Sequence, residues 1–209
     1  MSLIVIETQR KLGLTIDGIV GEKTKAAVNE ALSQGKITQA ECDALYCADP
    51  NDDRITKNIR LGELTASATA KRLGIDNTPP YQYRINLIAS AMHLWQPARD
   101  LLGVPIHISS GFRCDKLNRA VGGSRTSAHS VGFAIDFTAP DFGNTRKIAA
   151  FLVAKFKEQG IGFDQLILEF PDLPNSWIHL GYKSPSGAQR GQVLTAKKVG
   201  GKTVYVGDV

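Results

Sequence analysis

The sequence predicts an α+β fold in which helices flank an antiparallel sheet, preceded by a small all-α segment. Helical periodicity fills the first half of the chain, whereas the short alternating or apolar runs that are typical of strands lie after Gly103. A polar, turn-rich run at residues 47–53 separates the first three helical patterns from the remainder. We therefore expect a small helical domain over 1–49 and a larger α+β domain over 50–209.

The first domain has three short helical patterns. Apolar spacing predicts one helix beginning near Leu3 and a second over 26–32, with a glycine-containing turn between them. Thr38 with Glu41 three residues later is a capping-box pattern, which opens a third helix. On that helix Cys42 and Cys47 would lie roughly 7.5 Å apart along the axis. That separation is too large for a relaxed disulfide, so we expect reduced thiols.

The second domain begins with helical patterns and continues with strands. Residues 61–73 predict a helix that ends at Gly74, and residues 83–103 predict a long helix that Pro97 kinks. A helix over 144–157 lies between two strand groups. The predicted strands cover 104–110, 132–137, 165–170, 177–182, 192–199 and 202–206. Gly200-Gly201 joins the last two strands as a hairpin turn.

Composition excludes several classes of protein. Apolar residues make up 43% of the 209-residue chain and charged residues 22%, which is ordinary for a folded protein. No apolar run is long enough to span a membrane, and the start lacks a basic leader, so we expect neither membrane insertion nor a signal peptide. The net charge of +5 favours a polyanionic surface, but the basic residues are dispersed, which argues against nucleic acid.

Two histidines and one aspartate stand out as candidate metal ligands. His129 and Asp136 are seven residues apart, and His179 follows in a later strand pattern. Asp136 falls inside an apolar strand, where an unpaired carboxylate would be costly. Three such ligands suit a zinc site that keeps its fourth position open for water, as hydrolases require. The alternative is that Asp136 pairs with an arginine and that both histidines are structural; His93 and His107 are read as structural.

The segments around these residues resemble a known family. The motif Ser127-x-His129-x-x-Gly132-x-Ala134-x-Asp136 follows Ser109-Ser110-Gly111-Phe112-Arg113, and Phe163-Asp164-Gln165-Leu166-Ile167-Leu168-Glu169-Phe170 precedes Trp177-Ile178-His179. Over about residues 55–195 the chain resembles the zinc D-alanyl-D-alanine carboxypeptidases, a family that includes phage endolysins and is related to the hedgehog signalling domain. The resemblance implies Zn²⁺ held by His129, Asp136 and His179.

The resemblance also implies a catalytic apparatus around the metal. Arg113 would lie near the substrate, where its guanidinium suits a carboxylate or a developing oxyanion, although a surface turn residue is the alternative. Ser127 and Asn118 are the expected substrate-binding residues, and Ser127 could equally be a plain turn hydroxyl. Many members carry the catalytic carboxylate three residues before the second zinc histidine, but Ser176 stands there. We therefore predict Glu169 as the general acid/base, with a cross-sheet salt bridge as the alternative.

The N-terminal segment resembles small three-helix peptidoglycan-binding domains through residues 9–14 and 17–28. Whether it binds glycan or only packs on the catalytic domain stays open at this point. The resemblances imply a monomeric zinc peptidase of bacterial peptidoglycan, such as a phage or prophage endolysin. It would be made in the cytoplasm and act on the wall after release, or be exported with a leader that this sequence lacks. The alternative is an inactive wall-binding module that retains the zinc fold.

Overall fold

The computed structural model describes residues 3–46 and 53–207. The predicted boundary at 49/50 and Cys47 lie outside these residues. The chain divides into two compact units, Met1–Gly62 and Glu63–Val209. None of the helices within the described ranges has the length and apolar character needed to cross a membrane.

The first unit contains the three predicted helices, α1 (Leu3–Lys11), α2 (Glu22–Ser33) and α3 (Gln39–Tyr46). The capping box is formed, because Glu41 N–H donates to the Thr38 hydroxyl and Thr38 N–H donates to the Glu41 carboxylate. The helices share a small apolar core. It consists of Val5, Val28, Ala31, Ile37, Cys42 and Leu45.

A buried glutamine fixes the turn between α1 and α2. Gln9 is 1% exposed, and its amide nitrogen donates to the Asp17 carboxylate at 2.7 Å and to the Ile19 carbonyl at 3.0 Å. Its amide oxygen accepts from the N–H of Gly18, which has a φ of 70°. The side chain thus satisfies backbone groups that the turn would otherwise leave unpaired.

The second unit is built around one six-stranded sheet with the strand order β1-β2-β4-β3-β5-β6. The strands are β1 (His107–Ser110), β2 (Ala134–Thr138), β3 (Gln165–Glu169), β4 (Trp177–Gly181), β5 (Gln192–Val199) and β6 (Lys202–Gly207). Gly200 and Gly201 both have positive φ, as the predicted two-residue hairpin turn requires. The α+β class with a mostly antiparallel sheet and flanking helices is confirmed.

One strand pairing departs from the antiparallel expectation, since β3 and β5 are parallel. The chain leaves β4 and returns beside β3 through residues 182–191, which local periodicity does not reveal. An ion pair between an exposed arginine and a buried aspartate holds this connection. The Arg190 guanidinium donates to both oxygens of Asp164, at 2.6 and 2.7 Å, and Asp164 is 1% exposed. A bidentate pair of this kind positions the start of β5 against the start of β3.

The helices that follow α3 differ from the expected ones in three places, and one of them, Asp115–Ala120, was not predicted. They are α4 (Leu61–Thr65), α5 (Ala68–Leu73), α6 (Tyr81–Ser90), α7 (Gln96–Leu102), α8 (Asp115–Ala120) and α9 (Thr145–Gln159). The single helix predicted over 61–73 is wrong, because Ser67 caps a new helix by accepting from Ala70 N–H. A π-helical turn, Ala91–Trp95, joins α6 to α7 just before Pro97, whose ring and missing N–H disfavour regular α-helical bonding.

The sheet has one apolar face and one face that carries polar residues. The apolar face is fully or nearly fully buried and consists of Ile135, Phe137, Leu166, Leu168, Ile178 and Leu180. The buried stripe of α9 packs against β3 and β4, and the indole N–H of Trp95 donates to the Leu180 carbonyl. Because side chains alternate along a strand, the intervening residues point to the other face, where the candidate ligands lie.

Candidate metal centre

Strand register places the two strand-borne ligands side by side. Asp136 on β2 pairs directly with His179 on β4, and directly paired residues project from the same face of a sheet. Ser110 on β1 pairs with Asp136 on the other side, and Ile167 on β3 pairs with His179. These four residues form the central row, which crosses the sheet on the face opposite the helical layer.

His129 reaches the central row from a 3₁₀ turn, Ala128–Val131, that precedes β2. Gly132 ends the turn with a φ of 79°, and a Cβ there would lie 2.6 Å from the Tyr83 carbonyl oxygen. The side chains of Asn86 and Ser90 on α6 donate to the carbonyls of Val131 and Gly132. Gly132 therefore makes room for the backbone of α6.

A backbone carbonyl sets the orientation of the His129 ring. Nδ1 lies 2.7 Å from the Gly111 carbonyl oxygen, which can only accept, so Nδ1 carries the proton. The lone pair of Nε2 is therefore free and points at the other two candidates, as is usual for metal-ligating histidines. A side chain at position 111 would be excluded, since its Cβ would lie 2.2 Å from the Leu64 carbonyl oxygen.

The three candidate ligand atoms converge on one point. His129 Nε2 is 3.2 Å from Asp136 Oδ1 and 3.1 Å from His179 Nδ1, and the last two atoms are 2.9 Å apart. Four ligands at zinc-like distances of about 2.0–2.1 Å in a tetrahedron would be separated by roughly 3.3–3.4 Å. Small outward movements would therefore admit the ion. Among the described residues, this is the group of three or more side chains with metal-ligating atoms close enough to share one ion.

The charge states of the ligands also suit a cation. Burial lowers the pKa of His129, so its ring is neutral at pH 7, as a ligand must be. Burial alone would raise the pKa of Asp136, but the adjacent ring nitrogens of His129 and His179 outweigh burial and lower that pKa, so the carboxyl is ionised. The site thus presents an anionic oxygen and imidazole nitrogens, a donor set that zinc binds well.

Arg113 extends the centre on one side. Its Nη1 lies 3.6 Å from Asp136 Oδ2 and donates to the Ser110 hydroxyl at 3.2 Å, while Nη2 donates to the Ser127 hydroxyl at 3.5 Å. Burial is the main influence on this guanidinium and lowers its pKa, whereas the carboxylates of Asp136 and Glu169 raise it. The guanidinium remains charged at neutral pH. Arg113 and Ser127 are therefore held together beside the ligands.

Glu169 lies on the same face of the sheet, one residue pair along from the central row. It pairs with Trp177, just as Ile167 pairs with His179, so β3 and β4 lie side by side. Glu169 is 9% exposed. Burial raises the pKa of its carboxyl; His179 and Arg113 lower the pKa and Asp136 raises it, and the net direction is upward. A carboxyl with a raised pKa beside a metal centre suits proton transfer.

The other acidic or polar candidates are engaged elsewhere. Asp164 pairs with Arg190, and the exposed Asp172 pairs with Arg146. The hydroxyl of Ser176 accepts a hydrogen bond from Thr145 at the start of α9. Glu169 is thus the carboxylate best placed near the ligands.

Asn118 and Gly111 have structural roles that the sequence did not indicate. Asn118 is 4% exposed, and its amide donates to the Ser124 carbonyl, which braces the loop that leads to Ser127. Its expected contact with substrate stays a prediction. The structural part of Gly111 was missed, because a backbone carbonyl leaves no residue-type signal; only the small residue between Ser110 and Phe112 hinted at a close approach.

Alanine substitution of each ligand should empty the centre. We expect about one zinc per chain after metal loading, and a loss of stoichiometric zinc in His129→Ala, Asp136→Ala and His179→Ala, because each removes one of three protein ligands. His93→Gln is the matched control, since His93 stacks on Tyr182 and is not one of the three. Elemental analysis measures the ratio; full zinc retention in all three alanine variants would show that the ligands are elsewhere.

Comparison with known proteins agrees with this geometry. No curated protein is significantly similar to the chain. The model of one family, Peptidase M15, matches residues 57–180, which is more than half of the sequence and includes all three candidate ligands, Arg113 and Glu169. The chain therefore belongs to the peptidase M15 family of zinc-dependent metallopeptidases.

Proposed function

We propose that the chain hydrolyses peptide bonds in the stem peptides or cross-links of bacterial peptidoglycan, with zinc held by His129, Asp136 and His179. The observation that carries the proposal is the convergence of those three ligand atoms on the sheet face that also bears Glu169. Membership of the M15 family supports a metallopeptidase. The net charge of +5 suits an anionic polymer such as the bacterial wall.

Different residues around the ligands can perform the proton transfers and the charge stabilisation that peptide hydrolysis requires. A zinc ion bound there would lower the pKa of its bound water and polarise the scissile carbonyl. Glu169, with its raised pKa, would take a proton from the attacking water and deliver one to the departing amine. The second transfer is needed because the amine is a poor leaving group until it is protonated.

Arg113 and Ser127 would act on the substrate oxygen. The Arg113 guanidinium is held by Ser110, Ser127 and Asp136, so it is already oriented before substrate arrives. A fixed positive charge beside the ligands would stabilise an oxyanion or hold a peptide carboxylate without further reorganisation. Binding of a peptide carboxylate would favour carboxypeptidase action, whereas stabilisation of an oxyanion is equally compatible with an endopeptidase.

The rival function is an inactive wall-binding module, which Ser176 at the usual carboxylate position suggested. The position of Glu169 favours the enzyme, because a buried carboxyl with a raised pKa is costly unless it is used.

Removing the titrating group of Glu169 should abolish most of the activity. Glu169→Gln keeps shape and polarity, so we expect zinc content and folding to be retained while turnover of soluble muropeptides falls at least about 100-fold. Asp172→Asn is the matched control. Near-normal turnover in Glu169→Gln would remove this residue from the mechanism.

We further propose that the N-terminal unit binds the wall and that the whole chain acts as an endolysin, made in the cytoplasm and released to the wall. The unit has its own apolar core, and residues of α1 and α3 line an open groove of about 850 Å³. The groove is lined by Ile4, Glu7, Thr8, Arg10, Lys11, Ile37, Ala40 and Glu41. This mixture of apolar and charged side chains suits a sugar and peptide polymer.

Filling the groove should weaken wall binding and spare catalysis. Thr8→Trp should reduce co-sedimentation with insoluble peptidoglycan severalfold, because one of two linked binding sites is blocked, and leave turnover of soluble muropeptides nearly unchanged. Asn29→Trp, on the exposed side of α2, is the control. Sedimentation equal to that of the control would assign the unit a structural role.

A further inference from the structure

The last two strands extend the candidate centre beyond the segment that the family model matches. That match ends at residue 180, whereas β5 and β6 cover Gln192–Val199 and Lys202–Gly207. On β5, Ala196 pairs with Glu169, and on β6, Tyr205 pairs with Ala196. Directly paired residues share a face, so Trp177, Glu169, Ala196 and Tyr205 form one row across four strands.

This row lies next to the row that holds the metal ligands. Trp177 and Glu169 are each two residues from His179 and Ile167, which places them on the same sheet face. Tyr205 is two strand spacings from Glu169, roughly 10 Å at the backbone. The residue between them is alanine, whose single methyl group leaves the space above β5 to its larger neighbours, and Ala196 is fully buried. The tyrosine ring can therefore lie over β5 towards Glu169.

A second set of contacts fixes the hairpin against the same face. Lys198 is two residues beyond Ala196, and its ammonium lies 5.4 Å from the centroid of the Phe170 ring. That ring packs edge-on against Trp177, at 5.7 Å between centroids. Phe170 also donates its N–H to the Ala196 carbonyl. The hairpin is thus held to the strand ends that carry Glu169 and Trp177.

The exposure and hydrogen bonding of Tyr205 suit a residue that binds a ligand. Tyr205 is 52% exposed, and among the described residues none forms a hydrogen bond with its hydroxyl. Burial of part of the ring raises its pKa, and the negative charges of Glu169 and Asp136 raise it further. The phenol therefore stays protonated and can donate. Peptide carbonyl and carboxylate oxygens are the acceptors that such a donor would bind.

We infer that the β5–β6 hairpin forms one wall of the substrate site and that the Tyr205 hydroxyl donates a hydrogen bond to an oxygen of the bound peptide. The inference rests on the proposed function and deepens it. Arg113, which follows β1 and contacts Ser110, and Tyr205 on β6 then lie on opposite sides of the ligand group, so an extended peptide would cross the sheet between them. Tyr205 is a binding residue and takes no part in proton transfer.

Steady-state kinetics on soluble muropeptides test the inference with the full chain loaded with zinc. Tyr205→Phe removes only the hydroxyl, so we expect KM to rise about 10-fold or more with kcat within about twofold, because a hydrogen bond made equally in the ground and transition states is lost. Val206→Ala is the control, since Val206 lies on the same strand and points to the other face. Its constants should match those of the unmodified chain.

Direct binding gives an independent readout. In a Glu169→Gln background, which leaves the peptide uncleaved, adding Tyr205→Phe should weaken muropeptide binding by the same factor in calorimetry, while zinc content stays the same. Unchanged KM and affinity in a chain that cleaves muropeptides would overturn this inference alone, as would a fall in kcat at constant KM. If the unmodified chain neither binds nor cleaves muropeptides, the proposed function fails and this inference fails with it.

Discussion

The burial of the Asp136 carboxylate is the constraint on which the rest of the site depends. It lies at the centre of an apolar sheet, between Ile135 and Phe137, which are both fully buried on the other face. An isolated charge in such a place costs several kcal/mol even after the protein relaxes. Two histidines and Arg113 surround it, and a divalent cation between the histidines would complete the compensation. The turn of His129, strand β4 and the loop of Arg113 must therefore keep fixed positions relative to Asp136.

One face of the sheet contributes mainly to stability, and the other carries the candidate site. Packing of α9 and the π-helical turn buries one face and makes the strands rigid. Rigid strands fix the spacing between the central row, which carries two ligands, and the neighbouring row, which carries Glu169. Only His129 comes from outside the sheet. Its ring donates to the Gly111 carbonyl, and its turn accepts hydrogen bonds from Asn86 and Ser90, which fixes its position. Such preorganisation is what electrostatic catalysis requires.

The sequence predicted the parts of the site that depend on local pattern. The three candidate ligands and Glu169 were each found in short segments of the sequence, and the short connection between the strands of Glu169 and His179 is one that favours pairing of neighbouring strands. The break before Ser67 had a local capping signal that the periodicity of the flanking residues obscured. The parallel pairing of β5 and the approach of Tyr205 to the site depend on contacts between distant segments, which no local pattern encodes. The carbonyl of Gly111 belongs to the backbone and has no signature of its own.

X-ray absorption at the zinc edge tests the central claim most directly, because it reports the atoms that surround the metal in solution. For the zinc-loaded chain we predict a four-coordinate shell of nitrogen and oxygen at about 2.0–2.1 Å with the outer-shell scattering of two imidazoles. No sulfur should contribute. A zinc–sulfur distance of about 2.3 Å would place the metal at a cysteine, and the absence of imidazole scattering would exclude His129 and His179. Either result would contradict the account given for this site.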